Sequence, residues 1–342
     1  MKIAVSRSGR ATGRATLADV ARVAEVSPMT ASRALRGEST VDPVLAERVN
    51  AAAAKLGYVP DPAARALASQ RSSHVAVLIP SLTNRLFVEL LEAVQHTLRQ
   101  GGFQTLIGIT HYDALEEEQL LREQLLHRPA GLLLTGLDQS KATRKLIQSG
   151  GVPCVFMMEV AGDAQAFSVG FSQFDAAAAM TRHLLERGRK RIAFAAAQLD
   201  ARTLQRLQGW RETLAACGRH DARLEWLNEA PSSVELGTRL FEQIVAAKPR
   251  VDAIFFCNDD LAHGALLHAP RMGIEVPGRV AVAGFNDLAE SAEMVPPLTT
   301  ISTPRTEVGR EAANVLLRLM NRQQPSFANR DLGFQLVVRQ ST

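Results

Sequence analysis

Between Thr16 and Leu56 the apolar positions recur with helical spacing. Leu17, Val20, Ala21 and Ala24 fall on one face, which predicts a first helix over Leu17–Ala24 with Thr16 as its N-cap. Ser27 offers a second cap, and Pro28 suits the first turn of a helix, where a missing N–H does no harm. Asp42-Pro43 opens a third helix that runs to Leu56, where Gly57 stops it. Helices this short bury a small core, adequate for a compact bundle only.

The pattern then changes twice. Tyr58-Val59-Pro60-Asp61-Pro62 cannot continue a helix, and Ala63–Ser69 is a short helix-prone piece after it. Beyond Arg71 apolar strand-like runs alternate with amphipathic helical runs. Val75–Ile79 precedes Leu86–Leu98, Thr105–Ile109 precedes Leu115–Leu126, and Gly131–Thr135 precedes Ala142–Ile147. The alternation resumes with Ile192–Ala196, Thr203–Ala216, Ala253–Phe256, Leu261–Met272 and Val280–Phe285. Repeated strand–helix units predict an α/β fold of parallel, doubly wound sheets. The stretch is too long for one such sheet, so two lobes with a ligand cleft between them are expected.

Charge sharpens the division. Residues 1–71 carry 11 Lys/Arg against 6 Asp/Glu, whereas the remainder carries 28 against 29. A positive excess confined to the helical start suits a phosphate-binding module joined to a near-neutral sensing body. A basic tail of no consequence is the alternative on charge alone. No run approaches the roughly 18 apolar residues of a membrane span. Met1–Gly13 has no apolar core for an export signal. Cys154, Cys217 and Cys257 lack metal or redox spacing, so a cytoplasmic protein with reduced thiols is expected.

The segment from Leu17 to Leu35 has the layout of a helix-turn-helix, with small Ala21 allowing close crossing of two helices. In that geometry the start of the second helix enters the major groove of DNA. Pro28 and Met29 then lie nearest the bases, with Thr30, Ser32 and Arg33 within reach and Thr16 and Ser27 at the helix starts. Arg33 suits a bidentate contact to guanine. An ordinary three-helix bundle is the competing reading.

The residues Thr-Leu-Ala-Asp-Val-Ala-Arg-Val-Ala-Glu-Val-Ser over 16–27, with Thr30, Ser32 and Arg33, resemble the LacI/GalR family of bacterial repressors. So do Leu56-Gly57-Tyr58-Val59-Pro60-Asp61, Asn258-Asp259-Asp260-Leu261-Ala262 and Pro297-Leu298-Thr299-Thr300-Ile301. The resemblance implies a helix-turn-helix domain followed by a two-lobed, periplasmic-binding-protein-like core. The expected divisions are a basic tail at 1–15, the DNA-binding domain at 16–60, a hinge at 61–72, and a ligand-binding and dimerisation domain at 73–342. Leu67, with Ala68 beside it, matches the family's minor-groove lever, which kinks DNA by inserting between base pairs. Pro28 departs from the larger polar or aromatic residues usual at its position, shifting base readout toward shape or apolar contact.

The resemblance also places an effector pocket between the lobes, where loops at the carboxyl ends of parallel strands meet. Ser81 and Asn84 suit hydroxyl groups, and Phe87 suits stacking on a sugar face, although a core position fits it nearly as well. Glu159 matches an acidic pocket position, with a surface loop as the alternative. Arg202 and Arg206 share one helix face, which suits either an anion site or a solvated basic surface. Arg206 matches the family's usual pocket arginine. Asn258 is expected to bridge ligand hydroxyls; Asp259 and Asp260 favour the helix N-terminus and are assigned no ligand role. Asn286 stands where many sugar-binding members have aspartate, and Arg305 where others have an apolar residue. Both changes point to an anionic ligand.

Ser81-Leu82-Thr83-Asn84, Val169-Gly170-Phe171, Leu199-Asp200, Arg202-Thr203 and Thr303-Pro304-Arg305 resemble the gluconate-type branch, which includes 2-ketogluconate regulators. The implied partners are operator DNA, a sugar-acid effector and a second copy of the chain. A regulator of a neutral sugar, or one that needs a co-repressor, is the alternative. No GxGxxG follows a strand, and neither a P-loop nor a nucleophile elbow is present. His263 and His268 are poorly spaced for one metal. No catalytic, metal or cofactor site is therefore expected.

Overall fold

The computed structural model describes residues 15–59, 72–162 and 166–342. The chain divides into two compact units, 1–71 and 72–342. Helices α1 (Leu17–Val23), α2 (Pro28–Leu35) and α3 (Pro43–Leu56) make the described part of the first. A reciprocal box caps α1: the Thr16 hydroxyl accepts from the Asp19 amide, and Asp19 accepts from the Thr16 amide. Glu25 adopts a left-handed φ of 53° in the turn, and the Val26 amide bonds back to the Ala21 carbonyl at 3.0 Å. Gly57, at φ 61°, ends α3. The core is built of small residues, with Ala21, Ala24, Ala31, Ala34, Ala52 and Ala53 around Val20 and Val49. Such side chains let the helices cross closely.

The second unit holds two parallel sheets. Strands β1 (His74–Ile79), β2 (Gln104–Ile109), β3 (Gly131–Thr135), β4 (Cys154–Met157), β5 (Phe167–Gly170) and β11 (Asn329–Asp331) form the first, in the order β11-β5-β4-β3-β1-β2. Strands β6 (Ile192–Ala196), β7 (Glu225–Leu227), β8 (Ala253–Phe256) and β9 (Ala281–Ala283) form the second, in the order β7-β6-β8-β9. The near-continuous apolar runs of β1, β3, β6 and β8 suit strands covered on both faces. An antiparallel pair, β10 (Thr300–Ser302) with β12 (Gln335–Val337), departs from the all-parallel expectation. Both strands lie beside the points where the chain passes between lobes.

Helices follow most strands: α4 (Arg85–Gln100), α5 (Ala114–Leu126), α6 (Lys141–Gly150) and α7 (Gln173–Glu186), then α8 (Ala201–Ala216), α9 (Val234–Ala246), α10 (Asp259–His268) and α11 (Arg305–Met320). The single helix expected over Leu261–Met272 is two elements. It passes from α10 into a 3-10 turn, Ala269–Met272, because Pro270 cannot donate the next helical bond. Close packing sets the position of α8. A Cβ on Gly209 would run into the Phe174 carbonyl of α7, so only glycine allows this approach. The N-terminal turns of α8 then point between the sheets. Among the described residues no helix is long and apolar enough to cross a membrane.

Candidate functional site

In the first unit, the start of α2 lies at the surface. Pro28, Met29 and Arg33 are exposed, Met29 at 65%, while Thr30 and Ser32 are half-buried. The Ser27 hydroxyl accepts from the Thr30 amide at 3.1 Å, so its first task is capping. Thr16 is likewise engaged with Asp19, its hydroxyl donating at 2.8 Å. Arg33 Nε lies 3.7 Å from Glu38 Oε2, an exposed and loose pair worth little. A surface of apolar tip and one adaptable cation can meet thymine methyls and a phosphate or guanine. Leu67 and Ala68 lie outside the described residues.

In the second unit, two crevices open between the sheets. The first has a cavity volume of about 80 Å³ and brings together Ser81, Asn84, Phe87, Arg202, Arg206 and Asn258. The second, about 250 Å³, lies toward β2 and β3 and is lined by Asp113, Glu117 and Asp138 among others. Tyr112, Asp200 and Arg202 line both. Phe87 is buried as well as lining, so its ring serves the core of α4 and the wall together.

Three of the expected pocket residues do not line either crevice. Glu159 is buried behind Arg202, accepting from the Leu137 amide at 3.0 Å and from Gln205 Nε2 at 2.6 Å. Burial pushes its carboxyl up, against the opposing pull of Arg202. Asn286 is 2% exposed at φ 116°, and its Oδ1 has no hydrogen-bond partner among the described residues. Arg305 is the most heavily engaged of the three. Its Nε and Nη2 grip Glu89 of α4 at 2.7 and 3.1 Å, while Nη1 donates to the Asn286 carbonyl at 2.6 Å. The positive charge expected in the cleft is spent on an ion pair between the start of α11 and α4, and on the carbonyls of Asn286 and Asp287 after β9.

The remaining arginines differ in the same respect. Arg202 Nη2 bonds Asp200 at 3.1 Å, and Nη1 lies 3.8 Å from Glu159. Burial alone would lower its pKa, but Asp200, Glu159 and Asp138 outweigh it and hold the guanidinium charged. Arg206 has no carboxylate at ion-pair distance among the described residues. It donates to Gln173 Oε1 at 2.8 Å, the Cys257 carbonyl at 2.7 Å and Asn258 Oδ1 at 3.1 Å. Burial pushes its pKa down, as expected of a cation held among neutral acceptors. Gln173 donates in turn to the Met158 carbonyl at 3.1 Å, which connects Arg206 to the first lobe.

Over 336 residues the chain is 52% identical to the HTH-type transcriptional regulator GntR of Pseudomonas aeruginosa, covering 98% of both chains. Residues 16–61 match the family described as bacterial regulatory proteins, lacI family, and residues 181–342 match the periplasmic binding protein-like domain. The chain belongs to the LacI family. The crystal structure of the transcription regulator GntR from Chromobacterium violaceum is similar with a TM-score of 0.77 and 48% identity. It is covered to 98% by 78% of this chain. The Lac repressor dimer, solved bound to operator and the anti-inducer ONPF, is similar with a TM-score of 0.85 at 26% identity, over 96% of this chain and 99% of that one. This chain is therefore a DNA-binding transcription regulator and not an enzyme.

This LacI-family chain also lines its crevices with residues that sequence reasoning passed over. Tyr112, Asp138 and Ser232 each follow the carboxyl end of a parallel strand, the same rule that had singled out Ser81 and Asn84. His111 and Tyr112 take positive φ, 47° and 62°, turning the chain where no glycine signals a turn. Asp260, given no ligand role, lines the first crevice, and burial beside Asp259 and Glu290 pushes its carboxyl up to about 6.

Proposed function

We propose that this regulator represses transcription as a cytoplasmic homodimer and releases a palindromic operator when a small sugar acid enters the first crevice. Gluconate and 2-ketogluconate are the leading effectors. One observation carries the reading: Arg206 lines the crevice, is 4% exposed, and has no carboxylate at ion-pair distance among the described residues, with Asp200 acting on it only from farther away. A buried cation without a close counter-charge is costly, and an anionic ligand lowers that cost on binding. Ser81, Asn84 and Asn258 supply neutral groups for hydroxyls around it. The motifs resembling the gluconate-type branch favour the same class.

Release requires the ligand to prefer one conformation of the lobes over another. Arg206, Gln173 and the Met158 carbonyl form a hydrogen-bonded chain from ligand site to first lobe, so a carboxylate drawing on Arg206 acts on the junction between lobes. Thermal denaturation with a panel of sugars and sugar acids tests the assignment, because a ligand specific for the native state raises Tm by mass action. Gluconate or 2-ketogluconate is expected to raise it and to weaken operator binding in a shift assay. Stabilisation by neutral hexoses alone would overturn the assignment, and tighter DNA binding with ligand would reverse its sign.

A further inference from the structure

Resting on the reading of the first crevice as a carboxylate site, we propose that the second crevice is a subsite for the hydroxyl-bearing tail of the same ligand. The effector then lies across the neck at Tyr112, Asp200 and Arg202, with its acid at Arg206 and its far hydroxyls among Glu117 and Asp138.

Room is the first consideration. The first crevice offers about 80 Å³, and the second, which borders it along three shared lining residues, about 250 Å³. A six-carbon chain anchored by its acid at Arg206 finds the larger space on the far side of these residues.

Charge sets the direction. Arg206 lines the first crevice alone, whereas Asp113, Glu117 and Asp138 line the second alone. A carboxylate entering the second would meet these acids, while hydroxyl groups find acceptors in all of them. Glu117 is half-buried, and burial with the charge of Asp138 pushes its carboxyl up to about 7, so it also serves as a donor near neutrality.

An unsatisfied donor marks the neck. The Arg202 side chain is 7% exposed, yet its Nη1 has no hydrogen-bond partner among the described residues, the Glu159 oxygen being 3.8 Å away. A Cβ on Gly136 would strike Arg202 Nη1 and lie 2.7 Å from Asp138 Oδ1 and 3.1 Å from Glu159 Oε2, so this donor and both acids converge over Gly136. Arg202 and Asp138 both line the second crevice, so a tail hydroxyl there meets a cation and an acid held side by side.

Calorimetry on the full chain with gluconate, its three-carbon analogue glycerate and the uncharged hexitol glucitol separates the outcomes. Gluconate is expected to bind at least tenfold more tightly than glycerate. Asp138→Asn and Glu117→Gln should each weaken gluconate severalfold to about tenfold and leave glycerate unchanged. Unaltered thermal unfolding would show that the variants fold. Equal affinity for the two acids, or variants that bind gluconate like the parent, would overturn the tail placement alone. Failure of every acid to bind, with or without glucitol binding, would overturn the carboxylate site and the tail placement with it.

Discussion

The guanidinium carbon of Arg206 lies 3.8 Å from the centre of the Phe285 ring. A ring face attracts a cation, and together with three neutral acceptors it holds Arg206 in place without neutralising it. This leaves charge for a ligand. Arg206→Met is expected to weaken sugar-acid binding by roughly 100-fold, about 3 kcal/mol. Operator binding without ligand should change far less. Calorimetry paired with a shift assay checks both, and intact acid binding by the variant would remove Arg206 from the site.

Arg305 calls for the opposite expectation. Its side chain is 10% exposed and joins Glu89 to the carbonyls of Asn286 and Asp287, away from both crevices. Arg305→Ala strips partners from the buried Asn286 carbonyl and the half-buried Asp287 carbonyl and should cost about 2–3 kcal/mol of stability. Effector affinity is expected to fall less than tenfold. Thermal denaturation and calorimetry on one preparation separate the effects; a large loss of affinity with unchanged Tm would return Arg305 to the pocket.

The contrast shows what a sequence carries. Features set by neighbours in the chain were legible: the Thr16 box, Ser27 before Pro28, Gly57 after α3, and the apolar strands β1, β3, β6 and β8. The pairing of Arg305 was not legible, because its partner Glu89 is 216 positions away and nothing local signals which way the side chain turns. Glu159 was expected at an acidic pocket position or on a surface loop, but its orientation behind Arg202 depends on Leu137 and Gln205 from other elements. Tyr112 was missed although its place after β2 was available as a clue. Strand ends foretell which loops meet a ligand, and tertiary pairing decides which charges remain for it.

Glu117 makes stability depend on pH. Its carboxyl is shifted from 4.5 to about 7, first by burial and then by Asp138. The folded chain therefore holds a proton that the unfolded chain gives up, and this contribution is complete below about 4.5 and lost as pH rises to about 7. Stability relative to Glu117→Gln should decline through that window and level off above it. Parallel Tm–pH curves for the two proteins would disprove the assignment.

Arg33 is the exposed cation of α2 available to DNA, with only a loose neighbour at 3.7 Å to release. If it meets a phosphate, Arg33→Ala should lower the slope of log affinity against log salt by about 1 per protomer and weaken all sequences alike. If it meets guanine, the loss should be about 1–3 kcal/mol and confined to sites carrying that base. Ser27→Ala provides the comparison, because removing a cap costs about 1 kcal/mol of helix stability without removing a charge. Its salt slope should match that of the parent. Binding isotherms at several salt concentrations, on operator and scrambled DNA, distinguish the two contacts. An Arg33→Ala protein with unchanged affinity and slope would show that α2 meets DNA through Pro28 and Met29 without this arginine.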